Sequence, residues 1–127
     1  MTPRDRTRAR VLAALLAQGR TVHLLAMALG IGAFLVADGW IGVAVAAVLA
    51  VETWLAARVG LDARLFEALA DGLAPDALDQ GLVDVGLVDR TPPRVLDDRI
   101  RGATRLWRAQ LVATGLLGGV LLLGWWT

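Results

Sequence analysis

Two apolar runs, about 21–37 and about 40–57, meet at the dipeptide Asp38-Gly39. Each run is about as long as a helix needs to cross a hydrocarbon core, and a break of two residues forces them into an antiparallel hairpin. A third run of the same kind covers about 106–126. The five tryptophans sit at the ends of these runs: Trp40 and the Trp125-Trp126 pair at one end, Trp54 and Trp107 at the other. Indole favours the headgroup level because its body is apolar and its N–H seeks a polar partner. At a helical rise of ~1.5 Å per residue, Trp40 to Trp54 covers roughly 21 Å and Trp107 to Trp125 roughly 27 Å, close to a bilayer's apolar thickness. The pattern predicts an all-α integral membrane protein with three transmembrane helices.

Arginine placement sets the orientation. Arg4, Arg6, Arg8, Arg10 and Arg20 precede the first run, and Arg58, Arg64, Arg90, Arg94, Arg99 and Arg101 lie between the second and third, while the hairpin tip and the C-terminus carry none. By the positive-inside rule the N-terminus and the central loop are cytoplasmic and the C-terminus is outside, in a bacterial inner membrane. The start resembles a signal peptide, but its short apolar run leads into Gln18-Gly19-Arg20 without a small-residue cleavage site, so it is expected to be retained.

The expected organisation is one membrane domain in four parts. Residues 1–19 form an interfacial amphipathic helix with Val11, Leu12, Leu15 and Leu16 on its apolar side and a bend at Gly19. The alternative is one long tilted helix from about Arg8 to Ala37. Residues 20–59 form the transmembrane hairpin, 60–102 a short helical cytoplasmic loop, and 103–127 the third transmembrane helix. Within the loop, 61–72 reads as a helix with Leu61, Leu65, Phe66 and Leu69 on its apolar side and a closing glycine at Gly72. A second helix starts at Pro75-Asp76 and presents Leu78, Leu82 and Val85. Thr91-Pro92-Pro93 marks the start of a third, which runs from Arg94 into the last span.

All 13 basic residues are arginine, and the chain has no lysine, cysteine, serine, asparagine or tyrosine. Nucleophilic catalysis by those side chains, disulfides and thiolate metal sites are therefore excluded. A net charge of +1 gives nucleic-acid binding no electrostatic support. The loop carboxylates Asp71, Asp76, Asp79, Asp84 and Asp89 lack the alternation of a calcium loop, so no metal is expected. His23 with Met27 one turn on offers at most one histidine ligand per chain to a haem, and no cofactor is expected.

Glu52 is the ionisable group that most needs explaining, since a carboxylate within a span costs up to ~2.5–3.5 kcal/mol at its centre. Counting back from Asp38-Gly39 brings His23 to its level and Arg20 one turn further in. The expectation is an intramembrane polar clasp from Arg20, His23, Glu52 and Arg58, with Glu52 and His23 the catalytic candidates if there is chemistry. On the last helix Arg94, Arg101, Arg105 and Arg108 share a stripe opposite Leu96, Ile100, Ala103 and Trp107. Arg94–Asp98 and Asp97–Arg101 are spaced for intrahelical pairing. Arg101, Arg105 and Arg108 are thus candidates for anionic lipid headgroups. Small residues recur every fourth position: Ala26 and Gly30; Gly42, Ala46 and Ala50; Gly115 and Gly119. Such rows let helices approach closely in lipid, and three of them exceed one hairpin's needs, so one is expected to face another protomer or protein.

An interfacial helix followed by three spans, with acidic and basic groups at the inner leaflet, resembles the layout of the bacterial diacylglycerol kinase family. That family's signature combines a glutamate with an asparagine-containing stretch on the second span. Glu52-Thr53-Trp54-Leu55-Ala56-Ala57-Arg58 has no asparagine, so the resemblance is one of layout and carries over no catalytic residue. The leading expectation is a non-enzymatic subunit or adaptor of the inner membrane that packs against a larger membrane protein or itself. The alternatives are an enzyme or carrier acting on a lipid headgroup, with Glu52 as base and Arg105 and Arg108 holding phosphate, and proton or ion transport through an oligomer.

Overall fold

The computed structural model describes residues 1–86 and 96–126. The described residues form five helices: α1 (Pro3–Ala17), α2 (Gly19–Val36), α3 (Trp40–Ala70), α4 (Pro75–Asp84) and α5 (Leu96–Trp126). The protein is all-α, and three of its helical rods are long and apolar enough to cross a membrane: α1 with α2, α3, and α5.

Local chemistry accounts for the helix ends. Thr2 and Asp5 form a reciprocal capping box at the start of α1, with Pro3 in its first turn. Gly39 precedes α3 at φ +57°, which a side chain would strain, and this is what closes the hairpin so tightly. At the far end of α3, Gly72 adopts φ +109°, its N–H bonds the Leu69 carbonyl and the Leu73 N–H bonds that of Ala68. That pair of bonds is a Schellman closure, so Gly72 ends the helix as its sequence position implies. The start of the expected helix at Thr91-Pro92-Pro93, and Arg94 and Asp89 with it, lie outside the described residues.

Cross-helix contacts fix the topology. Gly30 packs on Leu49, His23 on Glu52, Gly19 on Val59, and Arg10 meets Asp71, so α2 and α1 run antiparallel to α3 in one continuous register. The facing pairs 36 with 124, 32 with 121, 19 with 110 and 8 with 97 rise together, so α5 is parallel to α1 and α2. Two expectations are corrected by this register. The 1–19 segment does not lie with its whole apolar side open to a membrane surface: Ala9, Leu12 and Leu16 are buried against Val59, Ala63, Phe66 and Leu69 of α3, while Val11 and Leu15 stay exposed. Gly19 is no sharp bend either, because Gln18 between the two helices keeps right-handed helical angles. The long-rod alternative describes the first helix better. Likewise 61–72 is not a separate loop helix but the last three turns of α3.

The interior changes character along the bundle. Because Gly19 meets both Val59 and Gln110, the adjacent Arg20, Arg58 and Arg108 form one layer, and all three are exposed. Between this layer and the tryptophan end, the interior is small, built on Ala26, Ala33, Val45 and Leu117. Large apolar side chains there point outward, with Leu35 79% and Val43 71% exposed. Beyond the layer the pattern inverts: Leu12, Leu16, Phe66 and Leu69 are inside and most of the arginines and aspartates outside, with Asp62, Asp79 and Arg99 partly buried. Large apolar groups turned outward suit lipid as solvent, and large apolar groups turned inward suit water. From Arg58 to Trp40 the rise is ~27 Å, which matches a hydrocarbon core of ~30 Å, whereas the whole of α3 rises ~46 Å.

α4 caps the water-type end. Leu78 is buried and Leu82 partly so, but Val85, expected on the same face, is exposed because α4 stops at Asp84. Arg99 of α5 pairs with Asp79 of α4 in a half-buried setting. Asp79→Asn is expected to raise hydrogen exchange of the α4 amides by about tenfold while the long helices keep their protection, since it removes one tether from a short element.

Candidate functional site

A polar layer crosses the bundle between its two apolar interiors. Glu52 of α3 is 0% exposed, and both of its carboxylate oxygens are engaged. His23 Nδ1 of α2 lies 2.7 Å from Oε2, and Gln110 Nε2 of α5 donates to Oε1 at 3.0 Å. The same amide nitrogen donates to the Gly19 carbonyl at 2.9 Å, and Thr114 Oγ1 donates to the Gln110 carbonyl at 3.0 Å. Turning the Gln110 amide over would set oxygen against oxygen at two contacts, so this orientation is required. Three helices are thereby tied together, with Gln110 close to the level of the arginine layer, His23 about one turn and Glu52 a little under two turns inside it.

The cost of a buried carboxylate explains the arrangement. Within a low-dielectric interior Glu52 needs either a proton or a charged partner, and His23 supplies one or the other across a short contact. His23 is 27% exposed and Glu52 is closed off, so the imidazole is the member of the pair that reaches the surroundings. Chemically the pair resembles an oriented imidazole: Glu52 holds Nδ1, and Nε2 has no hydrogen bond among the described residues.

Of the four residues expected in the clasp, the structure brings together His23 and Glu52. Arg20 and Arg58 are exposed and make no ion pair among the described residues. Their long side chains reach water more cheaply than the interior. The third member of the layer is Gln110, which sequence reasoning missed. Its signal was a Gln and a Thr four apart, Gln110 and Thr114, on one side of an otherwise apolar run.

The headgroup candidates on α5 divide. Arg101 pairs with Asp98 one turn back, and Asp97, expected to pair with it, instead reaches across to Arg8 at 2.7 Å because α1 runs beside α5. Arg105 and Arg108 are exposed and unpaired among the described residues. Trp107 differs from the other tryptophans: it is partly buried against the water-type core, and its Nε1 is buried without a partner among the described residues. Trp40, Trp54, Trp125 and Trp126 are exposed.

The small-residue rows also divide. Ala26, Gly30 and Gly42 are buried in the hairpin; a Cβ on Gly30 would touch Leu49 at 3.0 Å. Ala46 and Ala50 are exposed, and no heavy atom lies within 4 Å of a Cβ built on Gly115 or Gly119. Gly32, Gly118 and Gly124 take the α2–α5 contact instead. Among the described residues no three histidine, aspartate or glutamate side chains converge as a metal site. The chain matches no protein family, no curated protein and no solved structure.

Proposed function

We propose that this chain is a small multi-pass subunit of a bacterial inner membrane, with its arginine-bearing end in the cytoplasm, which associates through the open Gly115/Gly119 face of α5. The observation that carries this reading is the contrast among glycines. Those at internal contacts meet a neighbouring side chain at 2.8 to 3.6 Å, as with Gly124, Gly30, Gly32 and Gly118, whereas Gly115 and Gly119 meet none within 4 Å. A backbone bared over one turn in lipid gains most from a second helix laid against it, because association there depends on close packing. The closed state of Glu52 supports a binding role over chemistry at that carboxylate: no substrate reaches it, and its oxygens already serve the bundle.

Gly115→Leu with Gly119→Leu tests the proposal. Neither side chain meets an internal neighbour, so the monomer is expected to keep its helicity and melting behaviour. Association with itself or with a copurifying membrane protein, measured by crosslinking in native membranes, is expected to fall about tenfold or more, the equivalent of ~1.4 kcal/mol. Unchanged crosslinking would refute the interface. A reporter fused after Thr127 is expected to be active outside the cytoplasm.

A further inference from the structure

We infer that the groove between α1/α2 and α3 binds one phospholipid headgroup that carries a phosphate and a primary amine. The groove encloses about 890 Å³ and runs from His23 and Thr53, inside the arginine layer, out to Arg10 and Asp71 in the water-type half. Its floor is alanine and glycine, so the groove exists because the facing side chains are short. Its walls carry charge in a definite order. Arg20 and Arg64 come first from the membrane side, Glu67 follows one turn beyond Arg64, and the Arg10–Asp71 pair at 3.3 Å closes the outer end.

Arg20, Arg64 and Glu67 form no ion pair among the described residues, although Glu67 lies three positions from Arg64 on the same helix. A phosphate between Arg20 and Arg64 and an ammonium at Glu67 would satisfy all three. The order matches a lipid standing in this leaflet, with its phosphate just to the water side of the arginine layer, since Arg64 lies ~9 Å past Arg58 on α3, and its amine one step nearer water. A purely anionic headgroup would leave Glu67 opposed by negative charge. Arginine recognises phosphate through paired N–H groups, and His23 lines the inner end with Nε2 free of other bonds among the described residues.

The groove also continues toward the tryptophan end. Ala46, Ala50, Thr53, Ala57, Gly60 and Arg64 recur at spacings of three and four and are all exposed, so they form one face of α3. A path of small residues leading up from the phosphate position accommodates an acyl chain against the helix.

This inference rests on the membrane placement proposed above and not on the subunit role. The probes are phosphatidylethanolamine, phosphatidylcholine and phosphatidylglycerol, added to the full-length delipidated protein in detergent and counted by native mass spectrometry. One phosphatidylethanolamine is expected to bind about tenfold more tightly than phosphatidylcholine, which lacks ammonium hydrogens, a difference of one charged hydrogen bond. Arg20→Gln with Arg64→Gln is expected to lose the lipid, and Glu67→Gln to abolish the preference while keeping binding. Gly60→Leu is expected to fill the groove and lose the lipid without altering charge or internal packing, since nothing lies within 4 Å of its Cβ position. Arg4→Gln with Arg6→Gln removes the same charge outside the groove and is expected to bind as the parent does. Equal loss in that control, full binding by Gly60→Leu, tighter binding of phosphatidylglycerol, or displacement of the lipid by inorganic phosphate would each overturn the assignment. Solubility and monodispersity without detergent would instead remove the membrane placement.

Discussion

Glu52→Ala is expected to cost the folded state about 3–5 kcal/mol, the usual penalty for taking one member from a buried hydrogen-bonded charged pair. The loss has three parts: His23 Nδ1 is left without its partner, one Gln110 hydrogen loses its acceptor, and a cavity opens at a position with no exposure. The same layer is where three helices are tied at once, so separation at this level frees α5 from the hairpin. Glu52→Gln separates charge from shape. Its carbonyl oxygen can accept from Gln110 and its amide can donate to His23 Nδ1, which then carries its hydrogen on Nε2. That variant is expected to stay within about 1 kcal/mol of the parent, the scale of a single neutral hydrogen bond. Reversible unfolding in mixed micelles, followed by circular dichroism, distinguishes the two. If Glu52→Ala melts with the parent, the polar layer is not what holds the bundle.

The parts of this architecture that were legible in sequence are those set by short-range geometry. The Asp38-Gly39 break fixes the hairpin register, so counting residues away from it brings His23 opposite Glu52. No comparable anchor ties α5 to the hairpin, because its connection from α4 is long, and the depth of Gln110 relative to Glu52 therefore could not be counted. Periodicity showed which face of α1 is apolar but not what covers it. The answer lay on α3, where Val59, Ala63, Phe66 and Ala70 form a matching face well past the end of the hydrophobic run. Trp107 illustrates the same limit. Its place among Leu96, Ile100 and Ala103 pointed to the interior, its position near a run's end to the headgroup level, and it sits partly buried at the edge of that core.

The continuity of α1 with α2 makes Gly19 a contact point, and Gly19→Ala is expected to destabilise the protein by about 1–3 kcal/mol, the cost of forcing extra volume into a packed interior. A Cβ there would stand 2.8 Å from Val59 Cγ1 and 3.2 Å from Gln110 Oε1. Val59 is itself fully buried and stiff at its branched carbon, so it has no empty rotamer to retreat into. Movement of Gln110 would stretch its bonds to the Gly19 carbonyl and to Glu52, so the strain passes directly into the polar layer. Gly60→Ala provides the opposite expectation on the facing helix, one position beyond Val59. Nothing lies within 4 Å of its Cβ, and alanine in a helix interior is favoured over glycine by ~0.5–1 kcal/mol, so this variant should be slightly more stable. Both measurements use the same micellar unfolding curve. A chain bent away from α3 at residue 19 would accept the extra methyl and gain helix propensity from it, so stabilisation by Gly19→Ala would contradict the continuous rod and the close approach on which the three-helix contact depends.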